Sequence, residues 1–143
     1  MARLLLLLVL VTFQISVLAQ KQGIKGQVFW IGGNQMPGPK KSNSPQQGII
    51  REIIIYNSVK LQDTKQTDGF FTEIPGPPVA SILSKADGSF RINLPPGNYS
   101  VFVKESKGLF ANLFDGEGNI NPITVKERKY SWLTLSVDYE AVY

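Results

Sequence analysis

Histidine and cysteine, two side chains that many enzymes and metal sites depend on near neutral pH, are both absent from the chain. Their absence excludes Ser-His-Asp and Cys-His nucleophile systems, ordinary zinc sites and an imidazole general base. A glycosidase-like reaction by carboxylates would need two acids facing each other across a cleft. The available acids instead fall in predicted turns or at strand ends: Asp87, Asp115, Glu117 and Asp138. The sequence therefore predicts a protein that is not an enzyme and has no cofactor.

One acidic segment spaces three oxygen-bearing side chains at alternate positions, Asp115-Gly116-Glu117-Gly118-Asn119. The start of a calcium-binding loop has this spacing, but such a loop also needs a glycine at its sixth position and a bidentate glutamate at its twelfth. Those positions hold Ile120 and Lys126 here. The pattern favours a glycine-rich hairpin turn over a calcium site, and no metal ligand is assigned.

A lysine near the start of the first predicted strand and an acid near the end of the last one could form an intramolecular isopeptide bond. Some sandwich modules of Gram-positive surface proteins contain this bond, and Lys25, Asp138 and a helper Glu52 are the residues that could supply it here. Strand alternation offers a simpler interpretation, because it places both Lys25 and Asp138 on the face opposite the apolar residues. We therefore expect two solvated charges.

Several aromatic residues fall outside the apolar face that strand alternation predicts. In the last strand Leu133, Leu135 and Val137 share one face, which leaves Trp132 on the other. Exposed aromatic rings stack on sugars or anchor protein partners, although a long loop folding over the sheet would bury them instead. The residues predicted to bind a partner are Phe29, Phe70, Phe71, Phe102 and Trp132.

The elements that would position these residues are all β-strands. Short runs rich in Val, Ile, Phe, Tyr and Thr are broken by Gly, Pro, Asn and Asp, and no stretch keeps apolar residues at helical spacing. We predict an all-β fold, a seven- to eight-stranded antiparallel β-sandwich. The predicted strands lie near Ile24–Ile31, Ile49–Tyr56, Val79–Ser84, Ser89–Leu94, Tyr99–Lys104, Leu109–Phe114, Asn121–Val125 and Tyr130–Tyr139.

The connections between these strands are of two kinds. Tight turns at Ala86-Asp87-Gly88 and Pro95-Pro96-Gly97-Asn98 predict that Ser84–Lys104 is a meander of antiparallel strands. Two long loops are also predicted, at residues 32–47 and 57–78. Loops of this length are usually functional or disordered, and the pair of phenylalanines in the second one makes it the better functional candidate.

Three motifs carry a resemblance to a known family. They are Gly26-Gln27-Val28, Ala86-Asp87-Gly88-Ser89-Phe90 and the longer Leu94-Pro95-Pro96-Gly97-Asn98-Tyr99-Ser100-Val101. Together they resemble the carboxypeptidase regulatory-like domain over roughly residues 23–110. The resemblance implies a transthyretin-like (prealbumin-like) sandwich of Greek-key type, common in exported proteins of Bacteroidetes. It supplies no catalytic residues, and it implies an accessory, adhesive or scaffolding role by analogy alone.

The N-terminus has the pattern of a cleavable signal peptide. Arg3 precedes an apolar run from Leu4 to Val11, and Val17-Leu18-Ala19 forms a small-residue cleavage site. The polar residues after the run shorten it below the length of a membrane span. We therefore predict that residues 1–19 are removed and that residues 20–143 form one exported domain with no stable membrane insertion, periplasmic or extracellular.

Charge and cysteine content narrow the expected partners. The chain carries 15 basic and 11 acidic residues, and the basic ones are spread out rather than arranged in a stripe that could follow phosphates. Nucleic acid is therefore not the expected partner. The absence of cysteine favours a bacterial exported protein over a disulfide-stabilised eukaryotic one. We expect an interaction or scaffolding module of the cell envelope that binds an envelope protein, or alternatively a carbohydrate-binding module that uses the exposed aromatic residues.

Overall fold

The computed structural model describes residues 21–38 and 46–143, so the predicted signal peptide lies outside the described residues. Every regular element in this part of the chain is a strand, apart from a 3-10 turn at Leu61–Asp63. The strands are β1 Gly23–Trp30, β2 Gly33–Asn34, β3 Gln47–Gly48, β4 Glu52–Asn57, β5 Lys65–Thr67, β6 Phe70–Glu73, β7 Ala80–Leu83, β8 Ser89–Asn93, β9 Gly97–Glu105, β10 Gly108–Phe110, β11 Pro122–Val125, β12 Tyr130–Val137 and β13 Ala141–Val142.

The strands form two packed sheets and a small two-stranded ribbon. In the larger sheet the order is β5-β6-β10-β9-β4-β7, and β11 also pairs with β9. In the smaller sheet β12 lies along one edge of β1, while β8 and β3 pair in succession with the other edge. The ribbon consists of β2 and β13. The fold is therefore an all-β sandwich, as the sequence predicted.

The main hydrophobic core fills the space between the two sheets. Alternate residues of each long strand point into it, which is the period of two that a strand imposes. The smaller sheet contributes Ile24, Val28 and Leu135, and the larger sheet contributes Ile53 and Val101, all of them buried. Because the domain has no disulfides, this burial of apolar side chains between the sheets is its principal stabilising contribution.

The pairing is not antiparallel throughout. Strands β1 and β12 run parallel over their whole length, from Gly23 beside Tyr130 to Trp30 beside Val137. A hairpin fixes the direction of consecutive strands only, and these two are the first and last long strands of the domain. The predicted antiparallel pairing therefore does not extend to this pair, nor to the ribbon of β2 and β13, which is also parallel.

The predicted meander at Ser84–Lys104 is also wrong, although its strands and turns exist. Strand β7 pairs with β4, β8 pairs with β1, and β9 returns to pair with β4. The chain thus changes sheet at each of the two turns. Alternation of apolar residues shows which face of a strand is buried. The alternation pattern does not change when the next strand joins the opposite sheet, so it cannot distinguish a meander from a sheet crossing.

Both turns are closed by side-chain contacts to the backbone. The Asp87 carboxylate accepts hydrogen bonds from the backbone N–H and the hydroxyl of Ser89, at 2.9 and 2.6 Å. Gly88 has a φ of 85°, and a Cβ there would lie 2.2 Å from the carbonyl oxygen of Val28. At the second turn the buried Tyr99 donates its hydroxyl to the carbonyl of Pro95 at 2.6 Å. These contacts explain the Asp-Gly and Pro-x-Gly-x-Tyr spacing of the motifs.

The predicted loop at residues 57–78 is largely ordered structure. It contains the 3-10 turn and the hairpin of β5 and β6, whose turn residues Asp68 and Gly69 have φ values of 53° and 84°. The predicted loop at residues 32–47 contains β2 and part of β3, and its residues 39–45 lie outside the described part. None of the helices in the described ranges is long and apolar enough to span a membrane.

Candidate functional site: the outer face of the smaller sheet

The outer face of the larger sheet is not available to a partner where the predicted aromatic residues lie. Phe102 is 0% exposed and Phe71 is 2% exposed. Their rings meet edge to face with centroids 5.3 Å apart, and they pack against Val59, Ala111 and Ile120 from the connecting segments. We call these segments, residues 58–64 and 111–121, the loop cover. The prediction of an exposed face is wrong for Phe71 and Phe102, and the alternative of a covering loop is confirmed.

Phe70 is also buried, but on the other side of the sheet. It is the neighbour of Phe71 on β6, and consecutive strand residues point to opposite faces. Its side chain lies in the main core at 3% exposure, with ring centroids 6.0 Å from Phe110 and 4.9 Å from Tyr139. Because the segment predicted to be a loop forms the hairpin of β5 and β6, both phenylalanines are core residues. The prediction that they are accessible for partner binding is wrong.

The other two predicted aromatics lie on the outer face of the smaller sheet. Phe29 is half-buried near the end of β1. Trp132 is 59% exposed in the middle of β12, and among the predicted partner-binding residues it alone is exposed. No segment of the described chain folds over Trp132, so the environment of its indole ring defines the candidate site.

Trp132 stands in a row of outward-facing residues that crosses three strands. Lys25 on β1 is the register partner of Trp132 on one side and of Arg91 on β8 on the other. The next row along the strands consists of Thr134 on β12, Gln27 on β1 and Ser89 on β8. Neighbouring strands lie about 4.8 Å apart and rows on one face about 7 Å apart. We call this surface the tryptophan face.

Side-chain contacts hold the two aromatic rings of the face in place. The indole N–H of Trp132 donates to the hydroxyl of Thr134 on the same strand at 3.1 Å, which orients the ring along β12. Tyr130 precedes it by two residues and donates its hydroxyl to the side chain of Asn93 across the sheet. The Arg91 guanidinium lies over the Tyr130 ring, 4.1 Å from its centroid, in a cation-π contact. The face is thus pre-organised.

The face is basic at its centre. A shallow cleft of about 250 Å³ is lined by Lys25, Lys85, Arg91 and Trp132, and its other lining residues are Gly26, Gln27, Ser89 and Phe90. Asp87 lies next to this face, where its backbone carbonyl accepts a hydrogen bond from the Gln27 amide at 3.1 Å. The hydrogen bonds from Ser89, with a smaller contribution from the charge of Lys85, lower the pKa of Asp87. The surface therefore combines one exposed indole, three cations and several hydrogen-bonding groups.

The sequence interpretation found Trp132 but missed its neighbours. The sequence predicts Lys25 to be a solvated charge and Arg91 to face outward, and it assigns no site role to Arg91, Gln27 or Tyr130. Alternation identifies outward residues on each strand separately, but only the register between β8, β1 and β12 brings them together. The signal that was present is the concentration of charged and aromatic residues at outward positions of these three strands.

The geometry also excludes an isopeptide bond between Lys25 and Asp138. Because β1 and β12 are parallel, Lys25 lies beside Trp132, and Asp138 lies six residues further along, roughly 20 Å away. Asp138 accepts hydrogen bonds from Asn112 and Tyr143, and Glu52 pairs with Lys104 on the larger sheet. An isopeptide bond between these residues is not possible in this fold, and the two charges are separate.

The acidic segment at residues 115–119 is a turn closed by its own side chains. One oxygen of Asp115 accepts the backbone N–H groups of Glu117 and Asn119 at 2.9 and 2.8 Å, and the other accepts the Asn119 amide at 2.7 Å. The Asn119 side chain, followed by these backbone groups, lowers the pKa of Asp115. In the described residues, no three His, Cys, Asp or Glu side chains cluster closely enough to hold a metal ion.

A larger cavity of about 610 Å³ lies at the opposite end of β1, beside Trp30, Gln35, Gln47 and Tyr143. Its lining includes Gln46, the first described residue after the undescribed residues 39–45, and we assign no site there.

Comparison with known proteins gave no further guide to function. No protein-family model matches the chain, and neither a curated protein nor a solved structure matches it. The fold defines an all-β sandwich, and the resemblance to the carboxypeptidase regulatory-like domain stays a prediction from its motifs.

Proposed function

We propose that the protein is an exported, non-catalytic carbohydrate-binding module whose ligand lies on the tryptophan face. Export would follow removal of residues 1–19, and the bacterial cell envelope is the setting that fits the sequence. The observation that supports this function is a single exposed indole, Trp132, fixed in orientation and surrounded by the polar side chains of Lys25, Gln27 and Arg91. A flat apolar ring beside hydrogen-bonding groups matches a sugar, which has one apolar face and a rim of hydroxyls.

The surroundings of Trp132 favour a sugar over an apolar protein interface. Hot spots between proteins usually lie in an apolar, desolvated centre with a polar rim. Trp132 instead has polar, exposed residues directly beside it. Its register neighbour is Lys25, and its strand neighbour on the same face is Thr134. Phe70 and Phe71, which the carbohydrate-binding alternative used together with Trp132, are in the interior, so this function depends on Trp132 alone.

Affinity electrophoresis through gels containing neutral or acidic polysaccharides tests this function. We expect the chain from Gln20 to Tyr143, which contains every described residue, to be retarded by at least one polysaccharide. Trp132→Ala should abolish the retardation, whereas Phe114→Ala, a change at an exposed aromatic in the loop cover, should leave it intact. Binding to no polysaccharide, or equal retardation of Trp132→Ala, would contradict the proposal.

A second function, an envelope protein-interaction module, is supported by a different surface. Strand β7 is the last strand of the larger sheet, and an edge strand offers unpaired backbone groups to another chain. Leu83 on this strand is 63% exposed, and Val79 just before it and Ile50 nearby are also exposed. Competition by free sugars separates the two functions, because it would release a ligand bound at Trp132 and leave a partner on β7 in place.

A further inference from the structure

The cations of the tryptophan face form no ion pairs within the described part of the chain. Lys25, Lys85 and Arg91 line the same cleft as Trp132, and none of the three forms an ion pair with a carboxylate in residues 21–38 and 46–143. On the larger sheet the pattern is the reverse. There, Lys65 pairs with Glu73 and Lys104 with Glu52, so cations on that sheet are matched by acids across the strands.

The arrangement of two of these cations is unfavourable for the isolated protein. Lys25 and Arg91 are directly opposite each other on antiparallel strands, and like charges at such positions destabilise a sheet. Asp87 forms no ion pair with either residue, and its carboxylate accepts hydrogen bonds from the Ser89 hydroxyl and backbone instead. A bound anion would relieve this repulsion, so the charge distribution is complementary to a negatively charged ligand.

The aromatic and basic groups are placed for one extended ligand. The row from Arg91 through Lys25 to Trp132 spans three strands, roughly 10 Å. One side of the Arg91 guanidinium is occupied by the Tyr130 ring, and its N–H edge is the part that binds a carboxylate in a bidentate manner. A polymer with an apolar ring face and regularly placed carboxylates would satisfy both ends of the row.

We propose that the ligand of the tryptophan face is an acidic glycan, a polymer of carboxylated sugars. A sugar ring stacks on Trp132 while Lys25, Lys85 and Arg91 bind the carboxylates of the same or the adjacent residue. This inference rests on the proposed carbohydrate-binding function and specifies its ligand class. Single-stranded nucleic acid fits less well, because it uses several exposed aromatic rings in succession, and here the ring of Tyr130 is covered by Arg91.

The test compares uronate polymers with free carboxylates and the same polymers after methyl esterification. Polygalacturonate, alginate and hyaluronan are titrated into the chain from Gln20 to Tyr143, and binding is followed by tryptophan fluorescence. We expect tighter binding to at least one free acid than to its ester, and weaker binding as the salt concentration rises. Replacing both Lys25 and Arg91 by Gln should weaken binding at least roughly tenfold, whereas Lys107→Gln, a change in an exposed turn of the larger sheet, should not.

The alternative outcomes separate this inference from the function on which it rests. Equal binding of acid and ester, abolished by Trp132→Ala, would overturn the acidic ligand and leave a carbohydrate-binding module. Binding to none of the polymers in either form would overturn the acidic glycan, and a further absence of retardation by any neutral polysaccharide would overturn the carbohydrate-binding function as well. Tighter binding to a single-stranded oligonucleotide than to any uronate polymer, or binding that Trp132→Ala does not change, would show a different polyanion site and overturn the acidic glycan.

Discussion

Phe102 and Trp132 occupy equivalent positions in the sequence pattern of their strands but differ in their exposure in the structure. Each is an aromatic residue that falls on the face opposite the apolar alternation of a long strand, Phe102 on β9 and Trp132 on β12. Phe102 is fully buried under the loop cover, and Trp132 is mostly exposed. The outer face of the larger sheet is thus a second hydrophobic core, whereas that of the smaller sheet is an accessible surface.

The difference shows that the face of an aromatic residue on its own strand does not decide whether it is available to a ligand. The loop cover reaches Phe102 because residues 58–64 and 111–121 join strands of the larger sheet, and an isolated bridge between Lys60 and Asn119 ties them together. The connections that lead into β12 and β8, residues 126–129 and 84–88, are short by comparison. The following substitutions test this contrast, from the largest effect on stability to the smallest.

Phe102→Ala should reduce the free energy of unfolding by about 3 to 5 kcal/mol, because it opens a cavity beside Phe71 and Ile120 that the second core cannot fill. Denaturant unfolding of the variant measures the loss. If the alanine variant does not fold, Phe102→Leu should still fold with a smaller loss. Phe114→Ala, at an exposed aromatic, should have almost no effect. A loss below about 1 kcal/mol for Phe102→Ala would show that the loop cover is not a packed core.

Asn121→Ala should reduce the free energy of unfolding by about 1 to 3 kcal/mol. The buried Asn121 side-chain amide donates to the carbonyl of Val101 at 2.8 Å and anchors the loop cover to β9. Its φ of 38° adds strain for alanine that asparagine and glycine tolerate better.

Asn121→Gly is the matched control, since it loses the hydrogen bond but keeps the backbone conformation accessible. It should therefore lie between the wild type and Asn121→Ala in denaturant unfolding. Equal stability of all three proteins would show that the amide does not anchor the cover.

Asp115→Ala should lower the melting temperature near neutral pH by a smaller amount, and the difference should disappear in acid. The pKa of Asp115 is lowered from 3.8 in the folded protein, mainly by the Asn119 amide. A lowered pKa means that the charged form contributes stability above about pH 3.8 and that this contribution is lost as the pH falls through the folded-state pKa. Melting curves of both proteins from pH 7 to pH 2 check this; a constant difference would contradict it.

Trp132→Ala should change the free energy of unfolding by no more than about 0.5 kcal/mol, because the side chain covers little of the core. Trp30 provides the contrast within the same sheet. Its ring is half-buried and meets Tyr139 edge to face at 5.3 Å, so Trp30→Ala should be clearly more destabilising in the same assay. A large loss for Trp132→Ala would mean that the indole has a structural role and would weaken its assignment to a binding site.

Much of the strand pattern could be predicted from the sequence, since each of the eight predicted strands overlaps an observed one. The hairpin of β5 and β6 was missed because Lys65–Thr67 is short, polar and fully exposed. Its signal was the Asp68-Gly69 dipeptide, a strong hairpin turn that stands between two short strand-forming runs. Recognising it would have placed Phe70 and Phe71 on a strand, with one of them in the core.

The candidate site was less predictable than the fold. Trp132 was identified by alternation on its own strand, but the same argument also selected Phe102, and only one of the two is exposed. The association of Trp132 with Lys25 and Arg91 depends on a parallel pair between the first and last long strands. No local turn specifies that pair, so no pattern within either strand could reveal it.

The sequence by itself determined where the eight predicted strands lie and which face of the long strands enters the core, because propensity and alternation are properties of a few neighbouring residues. It also excluded catalysis by histidine or cysteine, because composition does not depend on folding. Only the tertiary structure decided which strands are neighbours, where the chain crosses between sheets and which outer face is covered. These features depend on contacts between residues far apart in the chain, such as Lys25 with Trp132 and Phe102 with Ile120, and their free energy exists only once the sheets have assembled.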